Sequence, residues 1–418
     1  MIRFLRRPLI VLIVFVAANS VRSETTDAWP QFLGPQGNGH GPQSRFATQW
    51  SESENIGWKT EIAGKGWSSP AIVDNRIWLT TATEDGQQLS GICVDFESGE
   101  LLHNRLLVAD NQAQEIHTLN SHASPSPVIN GERVYLSFGS YGTFCLDSKT
   151  GEEIWQRRDL PCNHWRGPGS SPLVYQNLLI MHFDGYDYQY VIALDKGTGK
   201  TVWQRDRDVD YGTDDGDVMK AFCTPIVIDV NGQSLLISPT SKAALALDPN
   251  SGEVVWRVRY DEFSATARPL FDGKSLFINT GFGKAKLLGV NPIGKGDITD
   301  TNMLWTQAKS IGSKPSSVLI DGRLYVVHDQ GVLSCLDSKS GEPIWTQRLG
   351  GNYSASLLYA GGHVYVCSQE GVTTVFKPGD EYQEVATNQI DGGFMASPAV
   401  YQDSLILRSR THLYRIRE

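Results

Sequence analysis

The chain has 418 residues and carries 46 acidic against 37 basic side chains, a formal net charge of −9. That balance, with no dominant basic stripe, argues against a nucleic-acid partner. A hydrophobic fraction of 40% is ordinary for a folded globular protein, and 41 glycines suit a chain that reverses direction many times.

The first residues read as an export address. Arg3, Arg6 and Arg7 precede an apolar run from Leu9 to Ala18, too short to span a bilayer, and Val21-Arg22-Ser23 offers a cleavage site. The residues flanking Arg6-Arg7 fit the twin-arginine route poorly, and no cysteine follows the apolar run to take a lipid. An uncleaved anchor is the alternative. The predicted layout is a signal peptide over 1–23, an N-terminal extension over 24–55 and one domain over 56–418, exported to the periplasm or secreted, with no stable membrane insertion after cleavage.

From Ile56 onward two markers recur in step. The first is a turn-and-strand opening at Ser69, Ser126, Ser171, Thr224, Arg268, Ser316, Ser356 and Ser397. The second is a small residue, an aliphatic and an Asp, then a Gly and a Trp. It stands at Cys145-Leu146-Asp147 to Trp155, Ala193-Leu194-Asp195 to Trp203, Ala246-Leu247-Asp248 to Trp256 and Cys335-Leu336-Asp337 to Trp345, with a degenerate copy from Cys93-Val94-Asp95.

Successive openings lie 40 to 57 residues apart, an interval that holds a four-stranded antiparallel sheet with short turns. Runs such as Arg323 to Val327 and His363 to Cys367 read as strands, and no stretch keeps helical spacing over three turns. The Asp and Gly serve the turn and the Trp packs between sheets.

Eight openings predict an all-β, eight-bladed β-propeller, with seven blades as the alternative. The eighth unit lacks a strand, which Ile56 to Ile62 supplies from the front, sealing the ring. Blade 1 has His103 in place of the Trp, blade 5 has Asn291 in place of the Asp and an insertion from Gly294 to Thr301, and blade 7 shows Lys377 and Val385 near those places. Cys93, Cys145 and Cys335 read as small buried fillers; Cys162 and Cys223 lie in loops where a pairing stays open.

This repeat resembles that of the pyrroloquinoline quinone (PQQ)-like β-propeller family over nearly all of the chain after the leader. The segments Trp29 to Pro35 and Thr411 to Ile416 are similar to the ends of exported, propeller-only bacterial members. The resemblance implies the fold; the family's functions include quinoprotein dehydrogenases, the propeller lipoprotein of the outer-membrane β-barrel assembly machinery, and sensor domains.

In a propeller the segments before each innermost strand gather at one mouth of the channel. They bring Trp67, His122, Trp165, Arg166, Lys220, Phe222, Arg268, Lys314, Tyr353 and Phe394 forward as a candidate ligand site of aromatics and cations. The competing reading is that the aromatics fill the neck and the cations balance nearby acids. A second candidate is the loop Asp206, Asp208, Asp210, Asp214 and Asp217, spaced much as in a calcium loop but with Gly212 one place late and no closing Glu; a solvated acidic loop is its alternative.

Motifs for serine hydrolases, zinc proteases, kinases and P-loops are absent, and there is no C-x-x-C-H. A quinoprotein would, by the resemblance, need calcium beside PQQ, a catalytic Asp and often a vicinal cysteine pair, which the chain lacks. The expectation is therefore a monomeric, non-catalytic scaffold of the cell envelope, requiring no cofactor and binding a protein partner or an extracytoplasmic small ligand. A PQQ-dependent oxidoreductase and an outer-membrane protein assembly factor are the alternatives.

Overall fold

Short runs of β-branched, leucine and aromatic residues, cut by Asp–Gly turns, pair into eight antiparallel sheets. The computed structural model describes residues 28–110 and 112–418, so the predicted leader lies outside the described residues. Each sheet is a blade with its first strand innermost. In blade 3 the order is Leu173–Tyr175, Leu178–Asp184, Gln189–Asp195 and Thr201–Asp206. Among the described residues helix is confined to two four-residue turns, Gly216–Met219 and Thr299–Asn302.

Blade 8 closes the ring as expected. Ile56–Glu61 pairs antiparallel with His412–Ile416, with Ile56 opposite Ile416 and Trp58 opposite Arg415. One blade departs from four strands. The insertion after Asn291 lays Gly296–Asp297 parallel against Val254–Arg259, so blade 4 has five strands and Trp256 faces Gly296.

The Asp of each repeat ties its own turn: Asp195 Oδ1 accepts the amides of Gly197 (3.1 Å) and Thr198 (2.8 Å), and Asp337 does the same for Lys339 and Ser340. The Trp then joins blades. In most blades its Nε1 donates to a carbonyl just past the repeat Asp, or its counterpart, in the next blade: Trp155 to Lys196 at 3.1 Å, Trp203 to Pro249 at 3.0 Å, Trp305 to Ser338 at 3.1 Å and Trp58 to Phe96 at 2.8 Å. The buried Nε1 of Trp256 in blade 4 finds no partner among the described residues.

The repeat Gly lies under that indole. A Cβ at Gly199 would come within 2.7 Å of the Trp155 ring, and its φ is +71°. Glycine is thus required by stacking as well as by the turn.

Where the repeat lapses, other residues take over. In blade 1 the indole comes from an inner strand: Trp78 donates to Ser148 O, and His103 stacks on it at 5.9 Å between ring centroids. Blade 7 receives Trp50 from the N-terminal extension, buried and stacked on Tyr365. Cys162 and Cys223 are buried free thiols.

The extension also crosses the channel. Trp29 exchanges two backbone bonds with Ile72 of blade 1, Pro30 O accepts Ile129 N of blade 2, and Gly39 and Gly41 bond Tyr359 of blade 7. These contacts pair inner edges that face the bore and stopper one end of it.

Candidate functional site

At the other end the eight openings converge in a circle of hydrogen bonds. Seven of the eight opening amides donate to the next blade's hydroxyl: Ser69 to Ser126 (2.8 Å), Ser126 to Ser171 (2.9 Å) and Ser171 to Thr224 (2.9 Å) on one side. On the far side Arg268 N donates to Ser316, then Ser316 to Ser356, Ser356 to Ser397 and Ser397 back to Ser69, at 2.9 to 3.0 Å.

The circle has one gap. Position 268 is an arginine, which offers no hydroxyl to the Thr224 amide and instead sends its guanidinium to Phe32 O (2.6 Å) and Pro225 O (3.2 Å). Arg268 is 4% exposed, and burial pushes its pKa down to about 10.

Above this collar opens a cavity of about 420 Å³, with Phe32 of the extension lining it below. Trp67, Phe222, Phe263, Phe282 and Met395 give it an apolar wall, and Arg166, Lys220 and Lys314 its cations. Five of the ten predicted mouth residues therefore line it: Trp67, Arg166, Lys220, Phe222 and Lys314.

The other five do not. Tyr353 and Phe394 are each 1% exposed and belong to the packing of blades 6 to 8. His122 is buried, its Nε2 bonded to Gln114 O. Arg268 lies in the bore, and Trp165 stands outside the cavity, half-buried, with Arg166 over its ring at 5.6 Å and Tyr186 at 5.7 Å.

Carboxylates enter the mouth that the opening segments alone did not contain. Asp217 accepts from Arg166 Nε (3.1 Å) and pairs with Lys220 Nζ (2.6 Å). Burial would raise its pKa, but those cationic bonds prevail and hold it at about 2. Asp329 accepts the amides of Ser313 and Lys314, and the Ser313 hydroxyl, with Lys314 Nζ at 3.6 Å. Burial lowers the pKa of Lys220, opposed by Asp217.

The acidic loop does not assemble as a calcium loop. Asp206, Asp208, Asp210 and Asp214 are exposed, Asp208 lies 3.8 Å from Arg257, Asp210 caps the amide of Gly212, and Asp217 is committed to the mouth cations. Among the described residues no group of three His, Cys, Asp or Glu is placed to hold a metal.

The loop's middle cation has a different task. Arg207 is 1% exposed and forms a bidentate pair with Asp184 (2.7 and 2.5 Å), which also accepts from Thr240, while Ser238 accepts from Arg207 and meets His182.

The rim above the cavity presents apolar side chains to solvent. Phe282 is 60% exposed at the tip of a hairpin, edge-to-face with Phe263, and Leu119 is 41% exposed on the blade 1 to 2 connection. That connection is held down by Asn120 Nδ2 donating to Arg166 O at 2.8 Å. A second hollow, of about 490 Å³, lies between blades 2 and 3 at the opposite end of the strands; its polar groups bond one another, Arg133 to Lys196 O and Lys196 to Asn130.

Comparison with known proteins follows the same lines. A PQQ-repeat family model described as outer membrane protein assembly factor BamB matches residues 45–159, 187–299 and 293–381. BamB of Yersinia pestis is 23% identical over 288 residues, 68% of this chain and 68% of that protein. BamB of Legionella pneumophila (strain Paris) is 24% identical, with 49% of each chain covered. An uncharacterized protein of Rickettsia conorii is 25% identical over 54% of this chain; like the Legionella match, it spans about half of the relative's length.

Among solved structures, BamB from Moraxella catarrhalis superposes with a TM-score of 0.62 at 14% identity, covering 86% of this chain and 99% of that one. Quinohemoprotein alcohol dehydrogenase from Comamonas testosteroni gives 0.69 at 11% identity, covering 95% and 81%. At such identities the likeness is one of fold.

Proposed function

The chain belongs to the PQQ-repeat β-propeller family of the BamB model, and from that premise we propose that it is a non-catalytic binding scaffold of the cell envelope that takes a protein partner at the rim of its mouth. The observation that carries this reading is the rim itself. Phe282 and Leu119 expose large apolar surfaces beside Arg166 and Lys314, the mixture of apolar anchor and cation that protein interfaces favour. The export read from Arg3 to Ser23 and the protein partner suggested by the BamB relatives fit this setting; as a monomer the chain leaves the rim free.

The residues of the cavity do not suit a calcium–quinone pair. Asp217 and Asp329, its two carboxylates, are each engaged by cations, amides or a hydroxyl, and no vicinal cysteines exist to lie against a quinone ring. The scaffold reading needs no cofactor. Assembly of outer-membrane proteins is the narrower form of the same reading, favoured by the BamB relatives.

The test is capture from an envelope fraction by the purified protein. A specific partner retained by wild type and lost with Phe282→Ala combined with Leu119→Ala supports the rim. Capture indifferent to both substitutions moves the interface elsewhere, and dye-linked alcohol oxidation on adding PQQ and calcium overturns the scaffold reading.

A further inference from the structure

The collar below the mouth has donors without acceptors. Each of its seven hydroxyls accepts one backbone amide, and among the described residues none donates its own O–H to a protein atom. A hydroxyl has one proton to give and two lone pairs, so the circle uses one lone pair of each and leaves seven protons. All seven residues are 5% exposed or less, and all seven line the cavity. Buried donors of this kind call for an acceptor, because leaving them dry costs free energy at each one.

Charge has the same sign. The eighth place is held by Arg268, whose bonds go to carbonyls and not to a carboxylate. Above the collar, Arg166, Lys220 and Lys314 face Asp217 and Asp329, so three cations meet two carboxylates before Arg268 is added. The bore below is stoppered by the extension, so an occupant enters through the mouth.

We propose that the neck is an anion seat: a carboxylate or tetrahedral oxyanion rests on the ring axis, taking hydrogen bonds from the converging hydroxyls in the field of Arg268, Lys220 and Lys314. The seat lies beneath the rim and is independent of any protein bound there. Two sources carry this chemistry: a free small anion, or the acidic head of a molecule whose apolar body lies against Phe222, Phe263 and Met395.

Isothermal titration of the purified chain with phosphate, acetate and benzoate, at ionic strength held constant with sodium chloride, tests it. Saturable one-to-one binding of at least one of them is expected. Benzoate at least tenfold tighter than acetate assigns the seat to an acidic head on an apolar body; equal binding assigns it to free anions.

Arg268→Gln, which keeps a donor for Phe32 O but loses the charge, is expected to weaken binding at least tenfold. Should that variant fail to fold, Ser126→Thr replaces it: Thr224 already fits the collar, and the added methyl at the neck is expected to weaken binding at least threefold. No saturable heat from any of the three anions in wild type, or affinity unchanged in the folded variant, overturns the proposal. Rim variants that lose protein capture while anion binding persists keep the two readings apart.

Discussion

The indole Nε1 of Trp78 donates to the carbonyl of Ser148 at 3.2 Å, so the bond that an outer-strand Trp makes in other blades is made in blade 1 from an inner strand. Trp78 is fully buried, and replacing it with Phe removes the donor and leaves the Ser148 carbonyl unpaired. A loss of about 1–3 kcal/mol is expected in urea unfolding. His103→Ala, which removes only the ring stacked on it, should cost less.

Gly199 and Gly232 share a positive φ but not a neighbourhood. Alanine at Gly199 meets the Trp155 ring at 2.7 Å, whereas alanine at Gly232 meets nothing within 4 Å. Gly232→Ala should cost about 1 kcal/mol through backbone strain alone. Gly199→Ala should cost about 2–4 kcal/mol, strain plus overpacking, and the difference between the two melting curves isolates the stacking.

The Asp184–Arg207 pair is sealed between blades 3 and 4. Asp184→Asn leaves a guanidinium buried without its counter-charge, and a loss of about 3–5 kcal/mol is expected. Asp184→Leu combined with Arg207→Met should be far milder than either single change, and a double-mutant cycle by chemical denaturation measures this.

Stability should fall with acid in a definite window. Burial lowers the pKa of His164 from 6.5 to about 4, so the folded protein holds it neutral where the unfolded chain takes a proton. Its contribution is full above pH 6.5 and is lost as pH falls through about 4, up to about 3 kcal/mol. His182 is shifted the same way by burial and by Arg207. His164→Gln should flatten the fall in melting temperature between pH 6.5 and 4.

The ring was legible because its staples are chemically conspicuous: Asp, Gly and Trp at fixed spacing announce the turn and the wedge, and Trp58 ahead of the first opening announced the closing strand. The lapses were visible, but their remedies were not, since nothing local says that Trp78 or Trp50 replaces a missing indole from another strand. The mouth was half legible. Lys220 and Phe222 could be placed by counting back from Thr224, but Tyr353 and Phe394 point into blade packing, a matter of side-chain direction that sequence order does not give.

The acidic loop misled because Arg207 and Asp217 look like its members and yet belong to two other networks. The collar had an unread signal: seven of the eight openings begin with Ser or Thr.

The pairing of Ile56 with Ile416 sets an order of events during synthesis. The strand holding Trp58 is made before the seven other blades, yet its mate follows about 350 residues later, so it waits with a bare edge while those blades form. Sealing is thus a late, long-range step, and the interval before it is when the nascent chain is most open to mispairing with its neighbours.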